Sequence, residues 1–123
     1  MQMLVNLSNH PSADWPRHQY EAALRLESMV VDLPFPNVDP DLDGTAFDEL
    51  AQVTAQQVIA SGASAAIVQG EPTLLFSAVR LLQLAGVRCY AATTERMSEV
   101  KTGEDGGVRK TSLFRFVRFR EYR

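Results

Sequence analysis

Three short polar segments, each following an apolar run of the chain, carry side chains that could do chemistry. They span residues 6–12 (Asn-Leu-Ser-Asn-His-Pro-Ser), 69–73 (Gln-Gly-Glu-Pro-Thr) and 93–96 (Thr-Thr-Glu-Arg). Together they offer an imidazole, short hydroxyl and amide donors, a carboxylate and a guanidinium. This combination can hold a phosphate group and move a proton beside it.

Each segment also has a structural interpretation that the residues alone leave open. The sequence Ser-Asn-His-Pro favours a turn, because Ser and Asn side chains form hydrogen bonds with nearby backbone groups. Thr93 and Thr94 resemble the start of a helix cap, and Arg96 could pair with a neighbouring carboxylate. Glu71 would repel a phosphate unless it binds a ribose hydroxyl or accepts a proton. Gly70 permits a tight turn or a close backbone approach.

The elements that must position these segments alternate along the chain. Apolar runs predict strands at residues 3–7, 29–33, 65–69 and 87–92, and helical spacing predicts helices that begin near Pro16, Thr45 and Pro72. In the third helix we expect Leu75, Phe76, Val79, Leu82 and Leu84 to face inward. A βαβαβαβ order predicts a mainly parallel sheet with helices on both faces. Ligands of such sheets bind at the carboxyl ends of the strands, where all three polar segments fall.

The C-terminal part of the chain has a different pattern. Glu104-Asp105-Gly106-Gly107 separates two β-prone segments and therefore predicts a hairpin. Strand alternation changes phase between Phe116 and Val117, which indicates a β-bulge or a strand buried on both sides. We predict one Rossmann-like α/β domain over residues 1–123, with βαβαβαβ over 1–97 and a C-terminal β-hairpin over 98–123.

Composition and motifs exclude several classes of protein. With 46% hydrophobic and 22% charged residues, the 123-residue chain is not disordered, and no apolar run is long enough for a membrane span. No secretory signal is visible, and one cysteine, Cys89, with two histidines argues against a disulfide or a zinc site. We therefore expect a cytoplasmic protein with no membrane partner, metal or cofactor. Neither a Gly-x-Gly-x-x-Gly motif after the first strand nor a P-loop is present, which argues against a dinucleotide site.

Acidic residues before the second helix resemble the beginning of a calcium-binding loop. Asp39, Asp41, Asp43 and Gly44 have the required spacing, but Leu50 occupies the position of the bidentate Glu. We interpret them as a solvated loop whose carboxylates favour the N-terminus of the next helix.

Charge is divided unevenly along the chain. The formal net charge of −3 argues against a bulk nucleic-acid binder, so we expect no long nucleic acid as partner. Residues 1–50 hold nine acids and two bases, whereas residues 108–123 hold six bases and one acid. The basic strand could face the acidic half, a partner subunit or the edge of an anion pocket.

Five segments resemble a family of small proteins from CRISPR neighbourhoods, and the resemblance covers most of the chain. They are residues 6–12, 32–40, 70–73, 93–96 and 116–122. Such proteins are similar to the CARF-like, Rossmann-like domains that bind cyclic oligoadenylate, the second messenger of type III CRISPR defence. Some stand-alone members are ring nucleases, which cleave the messenger as homodimers and without a metal.

The resemblance implies a homodimer that binds cyclic oligoadenylate, of the cyclic tetra-adenylate type, and cleaves it by attack of a ribose 2′-hydroxyl on the adjacent phosphate. Such an enzyme would switch off type III CRISPR signalling. The three polar segments, and not the resemblance, supply the candidate residues. The catalytic candidates are His10, Ser8, Glu71 and Arg96. The ligand-binding candidates are Asn9, Gly70, Thr73, Thr93 and Thr94. Two alternatives remain open: a cyclic-nucleotide-binding module without turnover, and a protein-interaction module that uses Arg118 and Arg120 of the basic strand.

Overall fold

A five-stranded sheet forms the centre of the computed structural model, which describes residues 2–123. The strands are β1 (Met3–Leu7), β2 (Met29–Leu33), β3 (Ala65–Val68), β4 (Arg88–Thr102) and β5 (Val108–Glu121). The helices are α1 (Arg17–Leu26), α2 (Gly44–Ala60) and α3 (Pro72–Leu84), and a short 3₁₀ turn at Ser12–Asp14 precedes α1. The predicted α/β fold is confirmed, and β5 follows the βαβαβαβ part.

The strand order is β2-β1-β3-β4-β5, in which the first four strands are parallel and β5 is antiparallel to β4. From β1 the chain moves outward to β2, and it then crosses back to β3 on the other side of β1. The order therefore reverses between β1 and β3, which is where parallel α/β sheets bind their ligands.

Helices cover both faces of the sheet, as predicted. On one face, Ala51, Ala55 and Val58 of α2 and Leu74 and Leu82 of α3 pack against β1, β3 and β4. On the other face, Ala23 of α1 packs against Leu4, Ala65, Ile67 and Tyr90 together with two phenylalanines of β5. Burial of these apolar side chains on both faces is the main stabilising contribution to the fold.

The ends and faces of the helices differ in detail from the sequence prediction. Asp43, not Thr45, is the N-cap of α2, because its carboxylate accepts a hydrogen bond from the backbone N–H of Gly44 at 2.8 Å. In α3 the predicted inward positions of Phe76 and Leu84 are wrong. These side chains are 62% and 84% exposed, since the buried stripe runs through Leu74, Ala78, Val79 and Leu82.

Strand β4 extends well beyond its predicted end. Residues 93–96 were expected to form a loop, but they continue β4, because each pairs with a residue of β5 in an antiparallel ladder. The hairpin therefore begins inside the sheet, at the pair Tyr90↔Glu121, and the predicted boundary at residues 97 and 98 lies within β4. We call residues 94–115 the arm; its β-strands pair with each other and with no other strand among the described residues.

A β-bulge at the base of the arm explains the phase change in β5. Thr93 pairs with Arg118 and Thr94 pairs with Phe116, so Val117 is the extra residue. The bulge allows Phe116 and Phe119 to point to the same face, where their ring centroids lie 4.8 Å apart. Both rings are buried against α1. Of the two predicted alternatives, the register shift confirms the β-bulge.

Candidate functional site

Two clefts lie at the carboxyl edge of the sheet. The first, of about 520 Å³, lies where the strand order reverses, and we call it the histidine cleft. Its lining includes Asn9, His10, Asp14, Trp15, Gln69, Thr94 and Phe114. The second, of about 740 Å³, which we call the acidic cleft, is lined by Asp39, Asp41, Asp43, Phe47, Glu71 and Thr73. The three predicted polar segments are therefore divided between two places.

A buried polar network lies beneath the histidine cleft. Asn6 is fully buried in β1, and its Nδ2 donates to Oδ1 of Asp32 at 3.0 Å and to the carbonyl oxygen of His10 at 2.9 Å. The hydroxyl of Ser8 donates to Oδ1 of Asn6 at 2.8 Å. The carboxylate of Asp32 accepts from both the backbone N–H and the hydroxyl of Ser12. The loop after β1 is thus tied to β1 and β2 at several points.

Both backbone groups of His10 are hydrogen-bonded. Its carbonyl oxygen accepts hydrogen bonds from Asn6 and, at 3.1 Å, from the indole Nε1 of Trp15, while its N–H donates to Oγ of Ser8 at 3.1 Å. Within the described residues, the ring nitrogens of His10 make no hydrogen bond, and the ring is exposed in the cleft. The backbone of His10 is therefore held in place, and both nitrogens of its imidazole ring are available to a ligand.

Ser8 lies below the cleft and not on its surface. It is 6% exposed, and its hydroxyl is used in the contacts to Asn6 and His10. Ser8 was predicted to be catalytic, but from this position it supports the backbone of His10. Asn9, by contrast, is exposed on the cleft wall, where its amide can meet a ligand.

Glu71 and Thr73 begin α3 in the acidic cleft. The carboxylate of Glu71 caps the helix, because it accepts from the backbone N–H groups of Thr73 and Leu74 at 3.1 and 2.9 Å and from the Thr73 hydroxyl at 2.6 Å. The Thr73 hydroxyl, followed by the two backbone N–H groups, lowers the pKa of Glu71. A carboxylate that is stabilised in its charged form is a weak proton acceptor, and the helix N-terminus already has its anion.

Gly70 has a packing role next to these residues. The ring of Phe35 lies against it so closely that a Cβ atom at position 70 would stand 2.2 Å from Cδ1 of Phe35. The close backbone approach predicted for Gly70 is therefore made by a core side chain of this protein.

Thr93, Thr94 and Arg96 lie on β4 and have separate surroundings. The hydroxyl of Thr93 donates to the carbonyl oxygen of Arg118 at the bulge, at 2.8 Å. Thr94 faces the histidine cleft. Arg96 lies further out on the arm, where its Nε and Nη2 donate to Oγ of Ser112 at 3.1 and 2.9 Å.

The acids that resemble a calcium loop bond to their own backbone. Oδ1 of Asp39 accepts from the N–H of Asp41 at 2.9 Å, and Asp43 caps α2. Across residues 2–123, no group of three or more His, Cys, Asp or Glu side chains is placed to hold a metal ion.

Five residues of the site were missed by the sequence reasoning or given no role by it. Asn6 and Asp32 had a visible signal, because each interrupts an otherwise apolar strand, and the two are paired in register. Trp15 directly precedes Pro16, near which the first helix was predicted to begin, and was given no role in the site. Gln69 was noted as part of a polar segment. Phe114 gave no signal, because its place at the cleft depends on the pairing of β5 with an extended β4.

The fold and the histidine cleft define an α/β protein of Rossmann-like type with a pocket at the reversal of strand order. Within residues 2–123, no helix is long and apolar enough to cross a membrane. The chain belongs to the family described as Uncharacterized protein MJ1673 family, whose model matches residues 2–120. No curated protein and no solved structure matches the chain.

Proposed function

We propose that the protein binds a cyclic oligoadenylate with one nucleotide in the histidine cleft, and that His10 takes part in its cleavage. The observation that carries this proposal is the exposed imidazole of His10 on a backbone held by buried hydrogen bonds, at the point where the strand order reverses. The resemblance to ring nucleases supplies the ligand class, and the cleft supplies groups that suit it.

The lining of the histidine cleft suits a nucleotide. Trp15 and Phe114 offer apolar ring surface to a base, and base–aromatic contact is worth about 1–3 kcal/mol. The amides of Asn9 and Gln69 can each donate and accept, as the polar edge of adenine requires. The Thr94 hydroxyl can donate to a phosphate or a ribose oxygen.

The chemistry needs one proton acceptor and good positioning. A ring nitrogen of His10 takes the proton of a ribose 2′-hydroxyl, and the 2′-oxygen attacks the adjacent phosphorus. The bond between phosphorus and the 5′-oxygen breaks, and the leaving oxygen takes a proton from water, which regains one from the protonated ring of His10. The products are a 2′,3′-cyclic phosphate and a 5′-hydroxyl, so the reaction proceeds without a redox step or a further co-reactant.

The active form in this proposal is a homodimer in the cytoplasm. A cyclic ligand with repeated phosphates matches two copies of one site related by a two-fold axis. Phe76, Arg80 and Leu84 form an exposed row along α3 that a second copy could cover. Light scattering of the purified protein should then give twice the chain mass of 13.6 kDa.

The test is incubation of the full chain with cyclic tetra-adenylate and its larger rings in the presence of a metal chelator, followed by chromatography. The wild type should release linear products, and His10→Gln should slow the release by about 100-fold or more, the usual contribution of a general base. His18→Gln is the matched control, because His18 lies on α1 and its Nε2 is 3.2 Å from the carbonyl oxygen of Phe116, a contact that glutamine can keep.

Three outcomes separate the candidate functions. Linear product from the wild type and from His18→Gln, but not from His10→Gln, supports the proposal. Recovery of intact ligand, together with a rise in Tm when the ligand is added, supports the binding module without turnover. Absence of both product and Tm shift for every ring size contradicts the proposal.

A further inference from the structure

The two faces of the arm have different charges. Strand alternation and the pairing of Arg96 with Phe114 place Thr94, Arg96 and Ser98 of β4 on the same face as Phe114, Ser112 and Lys110 of β5. We call this the cleft-side face, because Thr94 and Phe114 also line the histidine cleft. The outer face carries Glu95, Glu99, Lys101, Arg109 and Arg115.

Carboxylates neutralise much of the outer face. Arg115 pairs with Glu95, and Lys101 lies 3.9 Å from Glu99. On the cleft-side face of the described arm there is no carboxylate, and neither Arg96 nor Lys110 forms an ion pair. Unpaired cations on one face add little to the stability of a two-stranded ribbon. Their positive charge points instead to an anionic ligand.

The side chain of Arg96 is already held in place for such a ligand. Its Nε and one terminal nitrogen bond to Oγ of Ser112 across the ribbon, which leaves Nη1 and a second N–H of Nη2 for another acceptor. Ser98 and Ser112 place hydroxyl groups beside it. Arginine fixed by a neighbour loses less side-chain entropy when it binds a phosphate.

The histidine cleft is too small for a whole oligonucleotide. Its volume of about 520 Å³ is that of a pocket for one ligand of drug-like size, which corresponds to about one nucleotide. The remaining nucleotides must lie outside the cleft. The arm leads away from the cleft wall. Side chains on one face of a strand recur every ~6.6 Å, and Lys110 pairs with Val100, two such steps beyond Arg96, so the two cations are spaced to meet alternate phosphates of a bound oligonucleotide.

We infer that the cleft-side face of the arm binds the phosphates of the oligoadenylate beyond the nucleotide held in the histidine cleft, with Arg96 and Lys110 as the phosphate contacts and Phe114 as a stacking surface at the junction. This inference rests on the proposed function, since it assigns a second part of the same ligand to a second surface. It makes the arm the element that distinguishes an oligonucleotide from a mononucleotide.

The experiment compares linear oligoadenylates of two and six nucleotides whose 2′-oxygens are methylated, so that neither can be cleaved. Binding to the full chain is measured by fluorescence anisotropy over a range of salt. The wild type should bind the hexamer at least tenfold more tightly than the dimer. Arg96→Gln with Lys110→Gln should remove most of that difference and reduce the slope of log K against log salt for the hexamer by about 1.4, at about 0.7 per phosphate contact. Dimer binding should weaken far less, because a dimer has a single internucleotide phosphate.

The matched control is Lys101→Gln with Arg115→Gln, which removes the same charge from the outer face. It should keep the preference for the hexamer. The inference is overturned if the control pair weakens hexamer binding as much as the cleft-side pair, or if the wild type binds both lengths equally. It is also overturned if the cleft-side pair alters the oligomeric state in light scattering without altering hexamer binding.

The outcomes for the two proposals remain separable. Equal binding of both lengths by a wild type that cleaves cyclic tetra-adenylate overturns the role of the arm and leaves the histidine cleft in place. A wild type that neither binds these ligands nor cleaves the ring overturns both.

Discussion

The histidine cleft and the acidic cleft lie at the same edge of the sheet, and polar residues line both, but they use those residues differently. In the histidine cleft, the hydrogen-bonding groups of Asn6 and Ser8 are buried and support a ring that has no partner of its own among the described residues. In the acidic cleft, the carboxylates of Glu71 and Asp43 are committed to the first turns of α3 and α2.

The difference shows that position after a strand is a weak criterion for a binding residue. A polar side chain at the carboxyl edge either completes the backbone hydrogen bonding of the next element or is left for a ligand. Asn6, Ser8 and Trp15 form the hydrogen bonds of the His10 backbone, so the ring of His10 is left for a ligand. The side chain of Glu71 instead accepts the hydrogen bonds of the backbone N–H groups at the start of α3. Three substitutions test this comparison.

The largest effect on stability is expected for Asn6→Leu. It removes the three hydrogen bonds that the buried amide makes to Asp32, the carbonyl oxygen of His10 and the hydroxyl of Ser8, at about 1 kcal/mol for each bond. We expect the free energy of unfolding to fall by about 3 kcal/mol, measured by urea denaturation. Ligand affinity should fall with it.

Asn9→Leu is the control for that experiment, because Asn9 is exposed in the same loop. It should change stability by less than about 0.5 kcal/mol, as expected for an exposed residue outside the network, while it weakens oligoadenylate binding. Similar losses of stability in both variants would show that the buried network does not support the histidine cleft.

A smaller effect is expected for Trp15→Phe. The ring remains, but the hydrogen bond from the indole to the carbonyl oxygen of His10 is lost. One hydrogen bond is worth about 1 kcal/mol, so unfolding should become easier by about that amount. Cleavage of cyclic tetra-adenylate should fall severalfold, because the His10 loop is held less firmly. Wild-type kcat together with wild-type stability would contradict this role.

The smallest effect is expected for Glu71→Gln, and it depends on pH. The Thr73 hydroxyl and the N–H groups of Leu74 and Thr73 lower the pKa of Glu71 from its ordinary value of 4.5. The charged carboxylate therefore stabilises the folded state above pH 4.5, and this stabilisation is lost as the pH falls through the lowered pKa. The variant should have a lower Tm at pH 7 and nearly the wild-type Tm in strong acid.

The measurement is a series of thermal unfolding curves from pH 7 downward. A Tm difference that stays constant over this range would show that the charge of Glu71 is not the stabilising feature. A large loss of cleavage in Glu71→Gln at unchanged stability would instead place the carboxylate among the reacting groups.

Local patterns predicted much of the fold. The order of strands and helices and the presence of helices on both faces followed from apolar spacing. The same spacing limited the region near Phe116 and Val117 to a β-bulge or a strand buried on both sides. The extension of β4 could not be predicted in this way. Thr93 and Arg96 are held in the strand by pairing with residues of β5 that lie 18 or more positions further along the chain. The local sequence preferences of β4 carry no information about a pairing partner so far along the chain.

The candidate site was predicted in part for a similar reason. Asn9, His10 and Thr94 line one cleft, whereas Glu71 and Thr73 line another, because the turn at Gly70 and the capping of α3 direct them away. The support beneath His10 comes from Asp32 on a neighbouring strand, and register across a sheet is not a local property.

The length of β4 has a consequence for the motions of the site. Residues 88–90 pair with β3, and Tyr90 pairs with β5 as well, whereas residues beyond Tyr90 have β5 alone as a neighbour. Amide hydrogens at the inner end should therefore exchange with solvent only on global unfolding, and those of the arm should exchange by local opening at far lower cost. One continuous strand then belongs to two cooperative units. The boundary falls near Thr94, at the wall of the histidine cleft, so a ligand held there would slow exchange far out along the arm.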